Sequence, residues 1–293
     1  MLRYYYIYEG GIAMKKDKKA LIYIFGAVAL LLAVVGGICL YLALAGQFDN
    51  EMGHFEKGSV LAAVVYICMI VGAAVGVAPW VIYSDRAAED MEYRGGIAYK
   101  IVSYLAAAAM LFDLYFEARN SLYTNAQKGN LFFTVSLIFE FFTVAYLLAS
   151  PTLNKKGKRV SGIMSLFSFS PVIFCAFRVL YMYFDPSVAV NSPVKLFCQL
   201  SYIALMLVFC AETGLSLGRG NIYARYIFTL LTAITVCGTV SIGAAAAFVS
   251  GIEVSMLIGT DILLKLFLFL YCIVELIAVA GIETREKIKV AKK

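Results

Sequence analysis

The sequence predicts an all-α polytopic membrane protein, a bundle of eight transmembrane helices arranged as four sequential helical hairpins. Three observations predict it. Of 293 residues, 62% are apolar and 15% charged. The apolar residues fall in eight long continuous runs rather than in alternation. A bilayer core of ~30 Å is crossed by ~20 apolar residues of helix, and only helices or closed barrels satisfy every backbone polar group there. Unbroken runs select helices. Finally, Asp49, Glu117, Asp185 and Glu253 stand 68 residues apart, preceded by Phe48, Phe116, Phe184 and Ile252. Each is expected to close the outer end of the first helix of a hairpin.

The first hairpin is read as runs 20–46 and 59–83, the second as 98–117 and 130–150. The third is 162–185 and 193–217, and the fourth 222–249 and 254–281. Residues 1–19 form a cytoplasmic N-terminal segment, 20–281 the transmembrane domain and 282–293 a basic cytoplasmic tail. Residues 1–13 differ in character from the rest of the chain, and Met14 opens a basic preamble, Lys15-Lys16-Asp17-Lys18-Lys19. Glu9-Gly10-Gly11 can be encoded by GAA GGA GGN, a ribosome-binding sequence just before the Met14 codon. Met14 is therefore expected to be the true start, and the source bacterial. The run after it exceeds the ~7–15 residues of a cleaved signal, so it reads as an uncleaved first span.

The return helices share a start signal. Lys57-Gly58-Ser59, Lys128-Gly129-Asn130 and Asn191-Ser192-Pro193 each place Ser or Asn where its side chain can accept from helix-start N–H groups. Pro193 suits a first turn, where a missing N–H is harmless. The fourth hairpin diverges, with a tight Ser250-Gly251 turn. All four hairpins enter and leave on one side, which makes the repeat parallel rather than inverted. Gly72-x-x-x-Gly76 and the run Gly243 to Ala247 supply close helix contacts.

Lys and Arg concentrate on one side of these spans: Lys15 to Lys19, Arg86, Arg94, Lys100, Lys155 to Arg159, Arg219, Arg225 and the tail. The opposite loops hold only Lys57, Arg119, Lys128 and Lys195. Cationic loops stay in the cytoplasm, which puts both termini there and the chain in the plasma membrane. The net charge of +6 then reflects topology, and no nucleic acid is expected as a partner.

Charges within spans are unfavourable in lipid, by ~2.5–3.5 kcal/mol at a helix centre, and face the bundle interior. Glu140 and Lys265 fall nearest the midplane. Asp261 lies one turn from Lys265 on the same helix face, and Arg178 and Asp113 sit in the outer half. These five residues are the candidate binding site, a polar cavity open to the outside with Tyr115 and Tyr181 nearby. There Glu140 is the candidate proton carrier, since burial of a carboxylate favours its protonated form. The alternative is structural: Asp261 neutralises Lys265, and Arg178 pairs with Glu140 across helices. Glu212 and Glu275 read as solvated helix-end charges.

Asp261-x-x-x-Lys265 on the last helix is similar, over five residues, to the counterion and Schiff-base spacing of microbial rhodopsins. Those proteins sandwich their polyene between aromatic rings, notably Trp. The sole Trp here, Trp80, lies near a cytoplasmic helix end, so retinal is not expected. Catalysis is not expected either. His54, the single histidine, sits in the first outer loop, and HExxH, GxSxG, Walker and dinucleotide motifs are absent from the sequence. All seven cysteines fall in predicted spans without CxxC spacing, which offers no zinc set. No cofactor or metal is expected. Two functions stand: a transporter or channel-like protein for a small polar solute or ion, or a noncatalytic scaffold or sensor subunit binding another membrane protein. The lipid bilayer is a partner in both.

Overall fold

Long apolar runs without internal breaks leave the backbone one way to bond in lipid, the α-helix. The computed structural model describes residues 2–49, 53–82, 96–123, 130–153, 167–185, 189, 191–216, 223–252 and 259–290. Eight α-helices account for nearly all of these: α1 Leu2–Gly46, α2 Val60–Ile82, α3 Ile97–Tyr123, α4 Leu131–Leu153, α5 Ser170–Phe184, α6 Pro193–Ser216, α7 Tyr223–Val249 and α8 Gly259–Val290. Two short antiparallel strands, β1 (Phe48–Asp49) and β2 (His54–Phe55), join α1 to α2. Every helix except α5 is long and apolar enough to cross a membrane. Their outward faces carry exposed Leu31, Ile38, Ile67, Ile70, Ile138 and Phe141, an apolar surface suited to lipid rather than water.

Several helix starts obey the expected chemistry. Ser59 Oγ accepts from Ala62 N–H at 3.1 Å, and Asn130 Oδ1 accepts from Phe132 and Phe133 N–H at 3.1 and 3.3 Å. Pro193 opens α6 as predicted, but Ser192 Oγ is buried without a hydrogen-bond partner among the described residues. The Ser250-Gly251 turn closes α7 through a left-handed Gly251, φ +74°. Its frame lets Ile252 N–H reach Ala247 O at 3.0 Å, a helix-ending pattern that glycine favours.

Helix α3 departs from the sequence reading. Helix α3 runs on to Tyr123, so Glu117 lies inside a helix instead of closing it. The residues spaced 68 apart therefore occupy unlike places: Asp49 pairs with His54 in the strand turn, and Asp185 caps the end of α5. Glu253 lies outside the described residues. Helix α5 is described from Ser170 to Phe184; the expected start at 162 lies outside the described residues, as do 154–166. Pro171 fits a first turn, where its missing N–H is harmless. The residues just before it are held by hydroxyls instead: Ser170 Oγ donates to Phe167 O and Thr213 Oγ1 to Ser168 O, both at 2.7 Å.

Helix pairing places the site. Helices α3, α4, α5, α6, α7 and α8 pack each on the next, and α8 packs back on α3, closing a ring of six. Helices α1 and α2 lie chiefly against one member of it, α7, and α1 also touches α8. In consequence 83% of the α7 span is buried, against 33–56% in the other six. Most of its buried hydroxyls are satisfied within the helix: Thr229, Thr232, Thr235 and Ser241 donate back to carbonyls of their own helix at 2.7–3.1 Å, whereas Thr239 Oγ1 has no partner among the described residues. Glycines bring its neighbours close. A Cβ on Gly72 would stand 2.2 Å from Thr235 Cγ2, and one on Gly37 2.8 Å from Ile242. The Gly72-x-x-x-Gly76 pair thus packs within the chain, against Thr235, Thr232 and Phe228 of α7.

Candidate functional site

Charged side chains on apolar helices have only one another to approach, so the ring interior is where they must meet. On α3, Asp113 and Glu117 are four residues apart and share a face. Arg178 of α5 reaches both. Its Nη2 donates to Asp113 Oδ2 at 3.0 Å, its Nη1 to Glu117 Oε2 at 2.5 Å, and Nη2 also to Glu117 Oε1. On α8, Lys265 Nζ donates to Asp261 Oδ2 at 2.6 Å, and Tyr202 of α6 donates its hydroxyl to Asp261 Oδ1. The ammonium stands 4.8 Å from the Tyr202 ring centroid, a cation–π contact. Arg178 Nη2 lies 4.0 Å from Asp261 Oδ1, which links the two pairs into one cluster drawn from α3, α5, α6 and α8.

Glu140 of α4 completes it differently. Its side chain is fully buried, and neither carboxylate oxygen has a hydrogen-bond partner among the described residues. One of its oxygens, one of Asp113 and one of Glu117 all lie within 4.8 Å of one another. Asp113 Oδ1 is likewise buried and unpartnered, as is Arg178 Nε. Unsatisfied buried carboxylate oxygens are rare and unfavourable. Three of them belong to this cluster, both oxygens of Glu140 and Oδ1 of Asp113.

All five residues singled out from sequence, Glu140, Lys265, Asp261, Arg178 and Asp113, are thus in one place. All are at most 3% exposed, so they form a closed cluster and not the open cavity expected. Glu117, with 11% of its side chain exposed, is the most accessible of the cluster's carboxylates. The expected Asp261–Lys265 pair is present. Arg178 does not pair with Glu140 but takes Glu117 and Asp113, because its planar fork meets two carboxylates presented by one helix face. Tyr181 lies close to Arg178 and Glu117, whereas Tyr115 is 58% exposed and packs edge-on against Phe116.

Sequence reasoning misses two members. The 68-residue spacing assigns Glu117 to a helix end; its i,i+4 relation to Asp113 is the signal that places it in the cluster. Tyr202 carries none. A second buried polar group also departs from expectation. Glu212 and Glu275, expected to be solvated, are 0% and 1% exposed. Tyr146 and Tyr271 donate to Glu212 at 2.7 and 3.0 Å, and Tyr226 donates to Glu275 at 3.1 Å. These phenols supply the bonds that water would otherwise make, which is what allows the carboxylates inside.

Comparison with protein families, with curated proteins and with solved structures yields no match to this chain.

Proposed function

We propose that the chain crosses a bacterial plasma membrane eight times, as four sequential hairpins with both termini cytoplasmic. Its function in this reading is to move a small polar solute or ion through the six-helix ring. The seven long apolar helices support the membrane assignment. What supports α5 as the eighth span is its position between α4 and α6 in the ring. The orientation rests on the Lys and Arg bias of the loops.

The single observation carrying the transport reading is Glu140. A purely structural cluster has every reason to pair its charges, as Asp261 and Lys265 do. A fully buried carboxylate facing two others with no hydrogen-bond partner is instead suited to a moving ligand or proton. No catalytic chemistry is proposed for it.

The test is reconstitution. Proteoliposomes containing the purified chain and a trapped pH dye, challenged in turn with inorganic ions, amino acids and sugars, should show flux for one of them. Glu140→Gln should abolish that flux while leaving insertion and protein level unchanged. Should Glu140→Gln instead lower protein level or strip away a copurifying membrane protein, with no flux in the wild type, the chain is a scaffold or sensor subunit.

A further inference from the structure

We infer that Glu140, Asp113 and Glu117 form a binding site for a calcium-sized hard cation. This names the ion for the site proposed above and rests on that reading for its role, though not for the binding itself.

Charge balance is the first argument. The cluster holds four carboxylates, Asp113, Glu117, Glu140 and Asp261, and two cations, Arg178 and Lys265. Fully ionised, it carries an excess of two negative charges away from water. One divalent cation, or two protons, cancels that excess.

Geometry selects the cation. The oxygens without partners, both of Glu140 and Oδ1 of Asp113, belong to the three carboxylates whose ligating atoms lie within 4.8 Å of one another. Glu117 keeps a lone pair on each oxygen beyond its bonds to Arg178. A calcium coordination sphere measures about 4.6–5.2 Å across, whereas a magnesium sphere measures about 4.0–4.2 Å. Oxygens that all lie within 4.8 Å of one another fit within the sphere of one calcium ion. The donors are all carboxylate oxygens, with no His or Cys among them, and hard oxygen sets favour calcium over zinc or copper.

Glu140 faces Asp113 and Glu117 from α3, Arg178 from α5 and Asp261 from α8. Arg178 and Lys265 are already committed to Glu117, Asp113 and Asp261. Among the described residues no cation is hydrogen-bonded to Glu140, which leaves its carboxylate open to an external one.

Equilibrium binding of ⁴⁵Ca²⁺ to the full chain in lipid nanodiscs tests this. One saturable calcium per chain is expected at pH 8, with Mg²⁺ a poor competitor. Glu140→Gln and, separately, Asp113→Asn should each weaken binding by about tenfold or more, since affinity depends on the number of charged ligands. Tb³⁺ luminescence excited through tyrosine, displaced by Ca²⁺, gives a second readout with Tyr181 close by. Absence of saturable calcium binding by the folded wild type, or unchanged affinity in Glu140→Gln, overturns the inference. Calcium binding without flux into vesicles upholds the site and sinks the transport reading. Flux of another solute without calcium binding does the reverse.

Discussion

Arg178 is 2% exposed, and its guanidinium donates to the carboxylates of both Asp113 and Glu117. Taking such a group away leaves Glu117 and Asp113 facing each other and Glu140 with no cation within the α3–α5 part of the cluster. Breaking a buried pair by removing one partner is destabilising by ~3–5 kcal/mol. Arg178→Gln should therefore lower the thermal unfolding midpoint of the detergent-solubilised chain sharply. Adding Glu117→Gln to it should recover part of the loss, because the second change removes a carboxylate left unpaired. Equal midpoints for the single variant and wild type would show that the cluster is not held by this guanidinium. The same physics explains why these positions are legible in the sequence. A charge in the middle of an apolar run has to meet another, so Asp113, Glu140, Arg178, Asp261 and Lys265 are identifiable from their places in the runs. Their partners are not, because pairing depends on which helix faces which. Glu117 sits near enough to an expected helix end to look solvated, and Tyr202 differs in no way from the other tyrosines until α6 is set beside α8.

Helix starts are marked by local chemistry more than by hydropathy. Pro171 stands in the first turn of α5, where its missing N–H is harmless, whereas Pro79 and Pro151 lie within α2 and α4 near their ends. The cap residues Ser59 and Asn130 are readable because an N-cap depends on local spacing alone. The 68-residue recurrence misleads for the converse reason, since a spacing in sequence does not guarantee one in helical turns. Close helix approach has its own test. At Gly72 a methyl group would overlap Thr235, whose hydroxyl is already bonded to Leu231 O at 3.1 Å and whose β-branched side chain has few rotamers. Overpacking of this kind is destabilising by ~1–3 kcal/mol. Gly72→Ala should accordingly reduce thermal stability, whereas Gly46→Ala, with nothing within 4 Å of its added methyl, should leave it unchanged. Comparison of the two midpoints decides whether the glycines hold α2 on α7 or are incidental.

The eight helices are not four equivalent hairpins in their surroundings. Six form the ring that encloses every member of the charge cluster, and α1 and α2 pack on its α7 side. Ala33 approaches Gly238, Gly37 approaches Ile242 and Leu40 approaches Gly243, so α1 and α7 run in the same direction along a contact made of small residues. Such contacts gain dispersion energy through close approach in lipid, where the hydrophobic effect offers no drive. The division has a consequence for assembly. A chain split between α2 and α3 would leave all ligands of the inferred calcium site in the second piece, and it would leave the α1–α7 and α2–α7 contacts to bring the pieces together. Coexpression of 1–89 with 90–293 should yield a complex that copurifies from membranes and binds calcium as the intact chain does. Placing Gly72→Leu in the first piece should prevent copurification, because the larger side chain cannot enter the space beside Thr235. A complex that forms but does not bind calcium would show that the ring depends on the continuous chain for its shape. Pieces that never associate would show that the α7 contacts are too weak to hold α1 and α2 in place without the covalent link.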